Sequence, residues 1–280
     1  AMAIILQVLW LCVVLWQLSY KFTYVNLLVR VIAIIVVLVI VNKWTNPANK
    51  LSWTFLILLS PIFGLMVYFL FGRSGLTKHT RERMDAVNRQ VEALFQRDSA
   101  EEKGLEKESR SAYLQSSYID KWAGFPLYQN TQTKYYSCGE EMFPDMLEAL
   151  RGAKHFIFLE YFIIEEGYMF NTILDILEEK AKAGVDVRFI YDDVGSINSI
   201  SFGYYKKLQE RGIPCVTFNP FKPLISVVMN NRDHRKIFVV DGYIGFTGGI
   251  NLADEYINKV KRFGYWKDTG VRIEGEAVWS

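Results

Sequence analysis

Cysteine is sparse and scattered: Cys12, Cys138 and Cys215 are the three in 280 residues. They are odd in number, far apart and outside any CxxC pair, which excludes a disulfide framework and a zinc ribbon. Charge of one sign is equally lacking. Lys and Arg total 32 against 30 Asp and Glu, a net charge of +2, so nothing here suits the counterion-driven binding of nucleic acid. No P-loop and no GxGxxG occurs, and the three histidines include no pair with metal-ligand spacing. His79 and His155 read as a linker residue and a strand-start residue. Charge is also nearly absent from the first seventy positions, so the mean hydropathy of +0.09 averages two unlike halves.

Those first positions hold three apolar stretches: Ile4 to Leu18, Leu27 to Val41 and Leu51 to Phe71. The third is uncharged over its whole length and is expected to cross a bilayer as one helix. The second, with Arg30 near its start and Trp44 just beyond its end, is expected to be another span. The first lacks a basic segment before it and a small-residue cleavage pattern before Lys21, so a third span or an interfacial segment fits it better than a signal peptide. Asn46-Pro47-Ala48-Asn49-Lys50 reads as a tight turn between two membrane helices. Arg73, Lys78, Arg81 and Arg83 follow the third stretch, against Lys43 and Lys50 in the turn, which puts the downstream side in the cytoplasm.

Met84, Val87, Val91, Leu94 and Phe95 recur at three- and four-residue spacing and predict an amphipathic helix over 79–95, either on the membrane surface or packed on the following domain. Asp98 to Ser111 has almost no apolar content and is expected to be a solvated connector. Beyond Tyr135 short β-rich and helical runs alternate. Strands are predicted over 156–164, 185–191, 213–218 and 236–240, and helices over 170–183 and 202–211, with Gly184 and Gly212 as their stops. This alternation indicates an α/β sandwich with a parallel or mixed sheet, in which Glu160, Asp192, Asp193 and the residues around His234 can converge at strand ends. The expected division is a membrane anchor over 1–72, a linker over 73–120 and an α/β domain over 121–280.

The densest chemistry lies in Asp233-His234-Arg235-Lys236 through Asp241-Gly242, followed by Thr247-Gly248-Gly249-Ile250-Asn251. On a strand, His234 and Lys236 share one face and Arg235 points the other way. A histidine beside an ammonium can attack phosphorus, because the lysine neutralises the non-bridging oxygens. Gly248 and Gly249 allow close backbone approach to a phosphate, and the Asn251 amide can donate to it. The spacing HxKxxxxD followed by GGxN resembles the catalytic motif of the phospholipase D superfamily. With Asn46-Pro47, Pro61-Ile62-Phe63-Gly64, Glu160-Tyr161-Phe162-Ile163-Ile164, Tyr191-Asp192-Asp193-Val194-Gly195 and Gly249 through Tyr256, the chain resembles the bacterial cardiolipin synthases over nearly its whole length.

That resemblance implies a phospholipase D-like half-domain, a mixed sheet flanked by helices, and an enzyme needing neither metal nor nucleotide. It implies His234 as nucleophile, Lys236 and Asn251 with Gly248 and Gly249 as phosphate ligands, Asp241 as chiefly structural, and Asp268 as an acid hydrogen-bonded to the histidine. Glu160 is grouped with the phosphate- and lipid-binding residues, and Asp192 and Asp193 are read as structural or head-group contacts. Many of these synthases carry a histidine where this chain has Gly270. The implied reaction joins two phosphatidylglycerol molecules into cardiolipin and glycerol at the plasma membrane, and superfamily members use two HxKxxxxD motifs where this chain has one. Three readings follow: the first half of a synthase that needs its C-terminal half, a single-motif phosphodiesterase active as a homodimer, or an inactive membrane-binding fragment.

Overall fold

Ser60-Pro61 breaks the third apolar stretch. The structure, a computed structural model, describes residues 10, 13–14, 23–72, 78–95, 99–221 and 231–280; the first apolar stretch, apart from three residues, lies outside them. Helix α1 (Thr23–Asn42) occupies the second stretch, and its Tyr24–Asn42 portion is, among the described residues, the one helix long and apolar enough to cross a membrane. The third stretch, expected as one span, is instead α2 (Pro47–Leu59) and α3 (Pro61–Phe71). At ~1.5 Å per residue neither reaches the ~30 Å of a hydrocarbon core. Pro61 lacks an N–H and disfavours helical geometry at the residue before it, and Ser60 is extended, with φ −140° and ψ 85°. Gly64 makes the close approach feasible, since a Cβ there would lie 2.6 Å from the Ile57 Cα.

The expected turn between the first two helices is present. The Asn46 side chain accepts from Ala48 N at 2.9 Å, and Pro47 takes the first helical position, where its missing N–H costs nothing. Lys50 Nζ donates to Val41 O at 2.9 Å and Lys43 Nζ to Tyr68 Oη at 3.3 Å, so both cations of the turn bind this unit's own polar groups. Ala33, Ile40, Ile57, Leu65 and Tyr68 form its core.

The described residues after position 75 belong to a second compact unit. It opens with α4 (Lys78–Glu92), α5 (Ser99–Glu108) and α6 (Arg110–Ala123). The expected connector over 98–111 is therefore mostly helical. Acidic Glu101 and Glu102 in the first turn of α5 and Lys107 in its last suit the helix dipole, and Ser109 caps α6 through Ala112 N.

Seven strands follow: β1 (Thr131–Tyr136), β2 (Phe156–Tyr161), β3 (Asp186–Asp192), β4 (Cys215–Phe218), β5 (Ile237–Val240), β6 (Ile244–Gly248) and β7 (Gly270–Gly275), with helices α7 (Gly139–Gly152), α8 (Tyr168–Lys182) and α9 (Tyr204–Glu210) between them. The sheet order is β1-β7-β6-β5-β2-β3-β4. Strands β2, β3 and β4 run parallel, while β5 joins β2 antiparallel and begins the antiparallel run to β1. This is the mixed sheet expected of a phospholipase D-like half. Strict alternation in β2 buries Ile157, Leu159 and Tyr161 on one face, in a core shared with Met142, Met146 and Leu150 of α7 and Phe170, Ile173 and Leu177 of α8. The predicted helix stops hold: Gly184 and Gly212 adopt φ +92° and +79°.

The antiparallel insertion of β5 beside β2 positions the site. The exit of β2, the entry to β5, the exit of β6 and the entry to β7 all fall at one end of the sheet, and the β5–β6 turn falls at the other.

Candidate functional site

His234 stands three residues before β5, in an irregular segment of residues 231–236, where a strand start was expected at Lys236. Its ring is exposed and packs on Phe162, just past β2, with ring centroids 4.6 Å apart. Lys236 is buried, points to the same side and places Nζ 5.3 Å from the centre of the same Phe162 ring, while donating to the His234 carbonyl at 2.8 Å. Arg235 points away from them, as alternation requires. Burial lowers the Lys236 ammonium from its ordinary value, and the carboxylates of Asp268 and Asp233 oppose that shift.

Asp241, seven residues after His234, is at the opposite end of the sheet. It sits in the β5–β6 turn at φ +53°, and its carboxylate accepts from the backbone N–H groups of Lys154, His155 and Phe156, each at 2.8 Å. Burial would raise its pKa, but those three donors hold it below the usual range. It fastens the start of β2 and touches none of the other predicted site residues. His155 is the strand-start residue expected.

Gly248 and Gly249 sit beside the entry to β7, and their missing side chains serve that packing. A Cβ on Gly249 would lie 1.9 Å from Asp268 Oδ1, and one on Gly248 2.3 Å from Thr269 O. The reason given for them from the sequence, access for a phosphate, is thus joined by a structural one. Asn251 is buried and largely engaged: Oδ1 accepts from Ile163 N at 3.0 Å, and Nδ2 donates to Tyr256 Oη at 2.8 Å, leaving one amide proton. Asp268 lies near Lys236, yet the expected hydrogen bond to His234 is absent among the described residues. Its oxygens accept from Thr269 N at 2.8 Å and, more distantly, from the Trp266 indole at 3.5 Å. No side chain fits at Gly270, where a Cβ would lie 2.3 Å from Met142 Sδ.

Glu160 faces away from the core and meets the His234 segment through Arg235. Arg235 Nη2 approaches Glu160 Oε1 at 2.7 Å as an ion pair without hydrogen-bond alignment, and its Nε donates to Asp233 Oδ1 at 2.9 Å. Burial and the adjoining Asp233 carboxyl push Glu160 up to about 7, with Arg235 opposing. Asp233 is held low: burial would raise it, but hydrogen bonds from Glu160 and Arg235 outweigh that. Below about pH 7, therefore, Glu160 keeps its proton beside the ionised Asp233. On the other flank fully buried Asp192 accepts from Asp233 N at 2.9 Å and Gly195 N at 2.8 Å and pairs with Arg232 at 3.4 Å. Asp193 accepts from Phe221 N at 2.7 Å. Both aspartates are structural, one of the two readings made for them. Phe162, Asp233 and Arg235 were not singled out as site residues. Arg235 and Asp233 flank His234 and carry opposite charge, which is the one signal that could have drawn attention to them.

Residues 146–262, from α7 to the turn after Asn251, match the family model described as cardiolipin synthase, phospholipase D-like domain. Residues 146–262 thus form a domain of the cardiolipin synthase, phospholipase D-like kind. Residues 31–73, covering most of α1 with α2 and α3, match the model of a phospholipase D-nuclease N-terminal region. Family relatives include an uncharacterized protein of Streptococcus mutans, 40% identical over 244 residues, which covers 87% of this chain and 53% of that protein. The cardiolipin synthase of Alkalihalophilus pseudofirmus is 37% identical over 238 residues, covering 83% of this chain and 46% of its own length. The chain thus spans about half the length of the curated relatives it matches. Among solved structures, phosphatidylserine synthase of Haemophilus influenzae is similar at 18% identity and a TM-score of 0.42, covering 52% of this chain and 33% of that one.

Proposed function

We propose that the chain carries one catalytic half-site for phosphatidyl transfer from phosphatidylglycerol. The observation that carries this reading is the exposed His234 ring sharing the Phe162 face with the buried cation of Lys236. A ring nitrogen of His234 attacks the phosphodiester phosphorus, the bond from phosphorus to the glycerol head group breaks, and a phosphatidyl-histidine forms. Lys236 and the remaining amide proton of Asn251 hold the non-bridging oxygens, and Asp268 acts through its charge on Lys236. The departing glycerol oxygen takes a proton from a second histidine, which then accepts one from the hydroxyl of a second phosphatidylglycerol. That hydroxyl attacks phosphorus, His234 leaves, and cardiolipin is released. No metal or nucleotide enters this scheme.

The second histidine belongs to a second HxKxxxxD unit, supplied by a C-terminal half or by a two-fold partner. In this reading α1 crosses the cell membrane once and α2 with α3 together return through it, and the basic residues Arg73, Lys78, Arg81 and Arg83 favour the cytoplasmic side for the sheet domain. Glu160, through Arg235, positions the nucleophile's segment and contacts no lipid itself.

Phosphatidylglycerol turnover in detergent, measured with the oligomeric state, tests the reading. Glycerol release and cardiolipin formation by a dimer, lost in His234→Ala, would support a shared two-histidine site. Turnover by a dimer or monomer that survives His234→Ala would overturn the assignment of the nucleophile.

A further inference from the structure

Helix α4 carries an apolar stripe that its own unit leaves uncovered. Met84, Val87 and Val91, with Leu94 in the turn after the helix, are 48%, 50%, 44% and 75% exposed. At 3.6 residues per turn these four side chains occupy an arc of about 80°. Of the two surroundings the periodicity allowed, packing on the folded domain and lying on a membrane, the first is not what the structure shows. By contrast Phe95, at the end of the same segment, does pack inward, with its ring 5.9 Å from that of Phe125.

The charges on α4 are not spread evenly around the stripe. Arg83 and Arg81 border it on its two sides, where long side chains can reach lipid phosphates while their stems lie along apolar surface. The far side is mixed, carrying Glu82, Asp85 and Glu92 with Lys78 and Arg89, so the charges nearest the stripe are the two arginines that can meet an anionic surface. The helix also begins at Lys78, seven residues after the last apolar helix ends at Phe71, so a chain held in the bilayer by α1 to α3 delivers α4 within reach of the lipid surface.

From these observations we infer that α4 is an interfacial helix, lying along the cytoplasmic leaflet with Met84, Val87, Val91 and Leu94 immersed and Arg81 and Arg83 at the phosphate level. This rests on the membrane reading of α1 to α3 made above. Because the anchor alone would retain the protein in vesicles, depth rather than binding is the informative quantity.

The full chain, with Cys12 and Cys138 replaced by Ser and Cys215 by Ala, is reconstituted into vesicles of phosphatidylcholine and phosphatidylglycerol. Nitroxide labels are placed singly at positions 35, 85, 87, 89 and 91. Collision with oxygen, which concentrates in lipid, is compared with collision with a polar nickel chelate. The logarithm of the oxygen-to-nickel ratio is expected to be positive at positions 87 and 91 and negative at 85 and 89. A negative value at 87 and 91 overturns the inference, as does shielding of both from both reagents, which would mean that a second copy or another protein surface covers the stripe. Position 35 in α1 separates the two levels: lipid exposure there with an aqueous stripe refutes the interfacial helix alone, and an aqueous position 35 refutes the membrane reading and the inference together. Benzophenone-phenylalanine at position 87 in the chain with native cysteines gives the same contrast through its crosslinks to lipid or to protein.

Discussion

The HxKxxxxD signature divides between two ends of one sheet. At one end His234 is exposed, packed on Phe162 and beside the buried cation of Lys236, whose burial the carboxylates of Asp268 and Asp233 oppose. At the other, Asp241 is committed to three backbone donors from the start of β2. Four residues of β5 separate the two settings. A compact sequence signature can therefore combine a reactive group with a fold determinant, and the two should fail in different ways when they are mutated.

The largest expected effect is on turnover: His234→Ala removes the proposed nucleophile and should lower the proposed phosphatidyl transfer by about 10³-fold or more, with a urea midpoint near that of the parent because the side chain is exposed. Asp241→Ala should do the reverse. Of the three backbone N–H groups that lose their acceptor, those of Lys154 and His155 are exposed and can turn to water, so the loss should cost about 1–2 kcal/mol, read as a lower urea midpoint, while the folded fraction retains its turnover. Should Asp241→Ala abolish turnover in protein of unchanged stability, the separation of the two ends would be refuted. Asp241→Asn should cost less, since asparagine tolerates a positive φ and keeps one acceptor.

Gly249→Ala sharpens the comparison at the reactive end. Its methyl group would collide with Asp268 Oδ1, and the overpacking should cost about 2 kcal/mol. Adding Asp268→Ala should recover part of that loss in a double-mutant cycle. Additive losses would show that the glycine serves something other than the approach of Asp268.

The smallest effect concerns pH. Glu160 has its pKa raised from 4.5 to about 7 by burial and by the Asp233 carboxyl, so the folded protein binds that proton more tightly than the unfolded chain does. Stability from this group is fully present below about 4.5 and is lost as the pH rises through about 7. Asp233, held low, changes stability only in the acid range below its ordinary 3.8, outside that window. Glu160→Gln should therefore flatten the stability profile between pH 4.5 and 7; a slope equal to the parent's would remove Glu160 as its source.

Much of the fold was legible because its signals are local. Alternating burial in β2, the 3.6-residue spacing of α8 and the glycines at 184 and 212 are set by neighbours in the chain. Strands β1, β6 and β7 and helix α7 leave weaker local signals, the Gly270–Gly275 run being partly buried throughout and α7 interrupted by Pro144. The single long span expected over 51–71 failed for a reason that was also local. Pro61 lacks the N–H that a continuous helix needs there, and uniform apolarity does not restore it.

The sequence by itself determined the apolar helices at the start, the α/β alternation and the choice of His234, Lys236 and Asn251 as candidates, because each depends on residue type and short spacing. Only the tertiary structure decided that Asp241 fastens residues 154–156, that Asp268 lies against Gly249 instead of bonding His234, that the Asn251 amide is mostly engaged, and that Glu160 keeps its proton beside Asp233. These outcomes follow from β5 inserting antiparallel between β2 and β6, a pairing between segments about 80 residues apart. Periodicity within a segment records which face is buried, but not which distant strand will lie beside it.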